Sequence, residues 1–256
     1  MNEPDIQGPG GTPVAPFGAI LAGGRNVRYG APKALATVAG QRIIDRARLA
    51  LEQATSDLIL IANEPDIYAP VGLPMRPDLY PGLGALGGIH AALLWARDEG
   101  RPGVLAVACD MPFLSAALLG RLLTARGADI AVPASESRRG ADIVVPESKS
   151  RRGIEPLCAY YATACIPAIE AAIARGDHRI IGFYEDLRVV RIPLVEVRRY
   201  GDPGVLFLNV NTPEERARAE RIARSERLRA ERIARGGQTH TERITRGDAG
   251  DGEGAP

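Results

Sequence analysis

The chain of 256 residues is almost without lysine: of its 32 basic residues only Lys33 and Lys149 are lysines, and the rest are arginine. It also lacks net charge, since 32 basic against 31 acidic residues leave a formal +1. A balance of that kind gives no global field to steer the protein onto DNA or an anionic bilayer, so neither nucleic acid nor membrane is an expected partner. Residues 1–213 hold 22 charges of each sign, and residues 214–256 hold 10 basic and 9 acidic ones. Affinity for a polyanion must therefore come from local placement of a few side chains. Cysteine is scarce: Cys109, Cys158 and Cys165 form no CxxC pair, and an odd count argues against a disulfide framework. His90, His178 and His240 lie far apart and offer no zinc spacing. No apolar run approaches the roughly 18 residues of a membrane helix. Residues 1–16 are rich in glycine and proline, with neither a basic start nor an apolar stretch, and read as a flexible leader rather than a secretory signal. A cytoplasmic location is the resulting expectation.

What is present is an alternation of short apolar runs with longer helical patterns. Residues 17–22 (FGAILA), 58–62 (LILIA) and 104–108 (VLAVA) read as buried strands. Helices are expected over 42–54, 90–96 and 115–125, the last with Ser115 as N-cap. Further strands are expected at 129–133, 157–162, 189–192 and 205–208, and a helix at 166–174. The Arg-rich stretch 135–153 holds no strong period and reads as a loop or small hairpin over the sheet edge. Continuous apolar strands separated by helices describe a mostly parallel sheet covered on both faces, a three-layer Rossmann-like α/β fold. A last helix should begin at Thr212-Pro213, with Glu214 and Glu215 in its first turn. Beyond it, Glu-Arg-Ile recurs at 220–222, 231–233 and 242–244, but Gly236-Gly237 interrupts the pattern and no apolar seam accompanies it. The expected division is a leader at 1–16, an α/β domain at 17–213, and a charged helix with a disordered tail at 214–256.

Three segments carry chemistry. In LAGGRNVRYGAPKAL, residues 21–35, a strand empties into paired glycines, so backbone N–H groups can approach a polyphosphate without a Cβ in the way. Arg25 and Arg28 offer planar forks for phosphate oxygens, and Lys33 adds a compact point charge. The loop is neither a Walker A sequence nor a GxGxxG fingerprint. In AVACDMPFL, residues 106–114, Asp110 stands at the carboxyl end of a buried strand, where α/β sheets bind ligands. Its hard oxygens suit Mg²⁺, which takes one or two carboxylates plus substrate phosphates. Cys109 beside it reads as a buried structural thiol. The third segment, NVNTPEE at 209–215, is a good helix N-terminus. Strand alternation would put Asn209 and Asn211 on one side, with Asn211 nearer the crevice.

The first segment resembles the signature of the molybdenum cofactor guanylyltransferases, LAGG-x-S-x-R-M-G-x-D-K-x-L, within the class of nucleotidyltransferases that share the nucleotide-diphospho-sugar transferase fold. Asn26, Tyr29 and Pro32 depart from it, standing for serine, methionine and aspartate; Asn26 still hydrogen-bonds, and Pro32 stiffens the approach to Lys33. The second segment matches the family's CDxP, whose aspartate binds the metal, and the third matches NVNTPE(E/D). Residues 81–89 with Asp78 are similar to the loop that closes over the nucleotide base, Asn63 to a further nucleotide contact, and 155–161, beginning at Glu155, to a block near the pterin; 176–179 also resemble a family block.

The resemblance implies GTP and molybdenum-bearing molybdopterin as substrates, with transfer of GMP and release of pyrophosphate. The pterin's terminal phosphate would attack the α-phosphorus. Leu21, Ala22, Gly23, Gly24, Lys33, Asn63, Asp78 and Asp110 would bind the nucleotide, with Mg²⁺ on Asp110. Lys33 and Arg28 would stabilise the leaving group, and Asn209 and Asn211 would orient substrate. It also implies molybdenum-insertion proteins or recipient molybdoenzymes as protein partners. Two other readings stay open: a nucleotidyltransferase using CTP or a sugar phosphate, and a nucleotide-binding protein without catalysis.

Overall fold

A computed structural model describes residues 14–22, 33–80, 82–127, 140–185 and 187–247. In chain order its elements are β1 (Phe17–Leu21), β2 (Thr37–Val38), β3 (Gln41–Arg42), α1 (Ile43–Glu52), β4 (Leu58–Ile61), α2 (Pro65–Tyr68), β5 (Met75–Arg76) and α3 (Ala85–Asp98). They continue as β6 (Gly103–Ala108), α4 (Ala116–Ala125), β7 (Ile143–Pro146), β8 (Cys158–Ala162), α5 (Ile166–Ala174), β9 (Val189–Ile192), α6 (Leu194–Val197), α7 (Pro203–Leu206) and α8 (Pro213–Gly247).

Seven strands form one sheet in the order β5-β4-β1-β6-β8-β7-β9, and β2 pairs with β3 in a separate hairpin. Every strand of the large sheet runs the same way except β8, which is antiparallel to both neighbours, with Val107 paired to Cys158. The period-2 geometry of strands divides their side chains between two cores. Ile20, Leu60, Leu105 and Val107 face the helices α1 and α4, through residues such as Ile44, Leu51 and Leu119. Ala19, Ile59, Val104 and Ala106 face α3 and α5, through Ile89, Leu93 and Ile169. This is the expected three-layer, mostly parallel sheet, and coverage on both faces explains why β1, β4 and β6 are apolar at nearly every position.

Four expectations change on contact with the structure. Residues 143–146 are not loop: Ile143, Val144 and Val145 form a fully buried strand between β8 and β9. Their β-branched run is short, and its arginine-rich flank hid it; among the described residues of that stretch, those from 147 onward make a small turn, closed by the Glu147–Ile154 bridge. The strand expected at 205–208 is absent: residues 203–206 are helical, because the Asp202 carboxylate accepts the Gly204 N–H and Pro203 occupies the first helical position. Helix α3 starts at Ala85, so half of the expected glycine-rich loop is helical. Finally, α8 runs through Gly236-Gly237 to Gly247 instead of breaking there. The expected strand at 129–133 lies outside the described residues, as do most of the leader and the end of the tail.

Candidate active site

Because β1, β4 and β6 are parallel neighbours, their carboxyl ends open on the same edge of the sheet. Hydrogen bonds hold the chain to the last residue before each loop: the Ala22 N–H donates to the Ile61 carbonyl at 2.8 Å, and the Cys109 N–H to the Leu21 carbonyl at 3.2 Å. Leu21 and Ala22 are thus buried supports at the edge of the crevice. Gly23, Gly24 and Arg28 lie outside the described residues. Lys33 opens a 3₁₀ turn, Lys33–Leu35, that leads into the β2–β3 hairpin.

Asp110 follows β6 and is half-buried. Behind it Met111 and Phe113 are buried, which anchors the loop, and Ser115 caps α4 as expected by accepting the Leu118 N–H at 3.4 Å. The Asp110 backbone carbonyl accepts the Val210 N–H at 2.9 Å. That bond brings together two segments about a hundred residues apart in sequence, and places Asn209 and Asn211 on either side of the contact. These asparagines are not on a strand; residues 208–211 are irregular, so the alternation expected for them does not apply. Asn209 is half-buried and its amide bonds back to the Phe207 carbonyl at 3.4 Å, whereas Asn211 is exposed. Helix α8 then starts with a reciprocal cap: the Glu215 N–H donates to Thr212 Oγ1, and the Glu215 carboxylate accepts the N–H groups of Asn211 and Thr212.

Asn63 and Asp78 form a pair on neighbouring strand ends. The Asp78 N–H donates to Asn63 Oδ1 at 2.8 Å, and Asn63 Nδ2 donates to Asp78 Oδ2 at 3.2 Å. Asp78 is buried, and its Oδ1 has no hydrogen-bond partner among the described residues. Burial raises its pKa above the ordinary carboxylate value, while the Asn63 amide draws it back. The first turn of α3 lies against it, with the Cβ positions of Gly87 and Gly88 at 3.6–3.7 Å from the Asp78 carboxylate.

Glu155 adds an element that the motif reading located only as part of a block. It is 9% exposed, and its backbone is fixed on both sides, by its N–H to the Pro146 carbonyl and by its carbonyl from the Cys158 N–H. Burial pushes its pKa from 4.5 up to about 7; Arg152 and the Leu157 N–H pull it down, and the charge of Asp110 pushes it further up. Two carboxylates therefore feel each other at the mouth of β6. Sequence could not show this, because it depends on the reversed direction of β8. Among the described residues no three His, Cys, Asp or Glu side chains gather to hold a metal. A divalent ion at Asp110 would have to complete its shell with phosphate oxygens, and the mutual repulsion of Asp110 and Glu155 is the electrostatic setting a cation relieves, so the residues fit Mg²⁺.

Fold and site together define an α/β protein with acidic and amide side chains gathered at the carboxyl edge of a mostly parallel sheet, where such folds bind ligands, and comparison with known proteins narrows the class. Residues 18–189 match the MobA-like NTP transferase domain, and the chain belongs to that nucleotidyltransferase family. A "Probable molybdenum cofactor guanylyltransferase" of Pelotomaculum thermopropionicum is 34% identical over 209 residues, covering 81% of this chain and 93% of the relative. A "Molybdenum cofactor guanylyltransferase" of Desulfosudis oleivorans is 34% identical over 204 residues, covering 79% and 93%. Among solved structures, molybdopterin-guanine dinucleotide biosynthesis protein A from Archaeoglobus fulgidus superposes with a TM-score of 0.64 at 26% identity, covering 82% of this chain and 99% of that one. Among the described residues no helix is long and apolar enough to cross a membrane.

Proposed function

We propose that the protein transfers GMP from GTP to the terminal phosphate of molybdenum-bearing molybdopterin, giving the guanine dinucleotide form and pyrophosphate. The names of relatives about one-third identical support the substrates. The observation that carries the reading is the Val210–Asp110 hydrogen bond, which joins the aspartate segment to the asparagine segment at the carboxyl ends of the parallel strands. A phosphate nucleophile is already anionic, so the reaction needs alignment and charge neutralisation rather than a strong base. In this reading the N–H groups of Gly23 and Gly24 cradle the triphosphate, and Lys33 with Arg28 takes up charge on the departing pyrophosphate. Asn63 and Asp78 face the nucleoside, and the neutral amides of Asn209 and Asn211 orient a phosphate that a carboxylate would repel. Asp110 would hold Mg²⁺, which when bound neutralises charge on the nucleotide phosphates. The same reading makes the protein cytoplasmic, with residues 17–213 as the catalytic domain between a leader and a charged helical arm, and molybdenum-insertion proteins or recipient molybdoenzymes as its partners.

The test is to incubate the protein with Mg²⁺ and GTP, CTP or ATP, with and without molybdopterin, and to follow pyrophosphate. Release with GTP and pterin alone is the expected result. Release with CTP would move the protein to a cytidylyl branch, and no release with any triphosphate would leave a binding protein.

A further inference from the structure

The turn between β2 and β3 is held in a conformation that its own sequence disfavours. Ala39 has φ +50° and Gly40 φ +78°. Glycine adopts this left-handed region freely, but in alanine the Cβ comes too close to the following carbonyl oxygen there, and Ala39 is the one non-glycine residue with positive φ among the described residues. What holds it comes from the far end of the chain. The Ala39 N–H donates to the Glu220 carboxylate at 2.9 Å, and Arg216 Nε donates to the Thr37 carbonyl at 3.2 Å. Arg216 and Glu220 are four apart on α8 and so lie on one face of the helix. Each supplies a charged partner to a backbone group of the hairpin, the stronger kind of hydrogen bond.

Between these two bonds lies a small core separate from the two that flank the sheet. Ala219 and Ala223 of α8 pack there against Val38 of the hairpin, Phe113 of the segment after Asp110, and Leu208 and Val210 beside the asparagines. Alanine at both helix positions allows close approach. The Ile43 N–H donates to the Ala36 carbonyl at 2.9 Å, closing the hairpin base just after the Lys33–Leu35 turn. The hairpin is therefore the downstream anchor of the Lys33 segment, and α8 grips the hairpin.

We propose that Arg216 and Glu220 are positioning residues for the triphosphate site: by clamping the Ala39–Gly40 hairpin onto α8 they fix the Lys33 segment relative to Asp110. This rests on the assignment of Lys33 to the phosphates, and goes beyond it in giving α8 a part in nucleotide binding.

The experiment compares wild type with Glu220→Ala, Glu220→Gln, and the pair Glu220→Ala with Ala39→Gly. Steady-state pyrophosphate release is measured with whichever triphosphate wild type accepts, and amide hydrogen exchange is measured on the full chain without nucleotide. For Glu220→Ala the expected result is a rise of about tenfold in KM for the triphosphate, the worth of one charge-assisted hydrogen bond, with kcat little changed. Exchange should be about tenfold faster within residues 33–42 and unaltered in β1 and β6. Glu220→Gln keeps an acceptor oxygen and should recover most of the loss. Ala39→Gly removes the strain that Glu220 holds in check, and should restore KM in the double variant; simple loss of helix docking would not be rescued this way. Unchanged KM and exchange in Glu220→Ala, or no rescue by Ala39→Gly, overturns the proposal. If wild type turns over no triphosphate, the functional assignment falls, and the proposed role in nucleotide binding falls with it; exchange at 33–42 then reports on the clamp alone.

Discussion

Replacing Glu155 by glutamine should make the folded protein more stable at pH 8 and leave it nearly unchanged near pH 4.5. The carboxyl is buried beside Asp110, and burial first, then the Asp110 charge, raise its pKa from 4.5 to about 7 against the pull of Arg152 and the Leu157 N–H. Between those two values the folded chain keeps a proton that the unfolded chain has lost, so stability falls as pH rises through this window and levels off above it. At about 1.4 kcal/mol per tenfold change in proton affinity, the full difference comes to about 3 kcal/mol, a large part of the stability of an ordinary domain. Glutamine retains an oxygen for the Leu157 N–H and carries no charge to desolvate, so the penalty disappears. The assay is urea unfolding of both proteins from pH 5 to pH 8, in a chelator so that no divalent ion intervenes. The gain from the substitution should grow by roughly 2.5 kcal/mol across that range. A difference between the two proteins that does not vary with pH would show that Glu155 ionises normally and that its carboxyl is not buried beside Asp110.

Lys33→Ala and Asp110→Ala should each abolish pyrophosphate release while leaving the thermal midpoint near that of wild type; wild-type rates in either variant would refute the roles given to them. Thr212→Ala removes the hydroxyl that accepts the Glu215 N–H and should cost about 1 kcal/mol in urea unfolding; no loss would mean that the cap is not formed in solution. Gly103→Ala should be among the most disruptive single methyl additions, since the new Cβ would collide with the Tyr161 carbonyl oxygen where β6 begins its pairing with β8. A loss of roughly 1–3 kcal/mol or more is expected from overpacking there, and an unshifted midpoint would argue against the β6–β8 pairing.

The strands β1, β4 and β6 were legible because both their faces are buried, which writes nearly unbroken apolar runs into the sequence. The place of Asp110 at a strand end was legible because it follows such a run, whereas the glycine loop lies outside the described residues. Ile143, Val144 and Val145 escaped notice because three residues give little periodicity and arginines surround them. Residues 205–208 looked like a strand from Val205, Leu206 and Leu208, yet Asp202-Pro203 was a helix start that the apolar run masked. The Asn63–Asp78 pair, the carboxylate couple of Asp110 and Glu155, and the grip of α8 on the hairpin all depend on pairing between distant segments. No local pattern announces such contacts: Ala39 and Glu220 are 181 residues apart.

The reversed direction of β8 has a further effect. In an all-parallel sheet the crevice can draw only on residues that leave strands, and each sits on the loop leading into the next helix. Here the β6–β8 register runs from Gly103 opposite Ala162 to Val107 opposite Cys158. Continued three steps, the same register sets Asp110 opposite Glu155, a residue that arrives at a strand instead of leaving one. The two acidic positions thus belong to separate loops with separate constraints: one leads to α4 and the asparagine segment, the other to the turn after β7. A change of residue or length at 153–157 can alter the acidic partner of Asp110 without touching β1 or β4, which lie on the other side of β6.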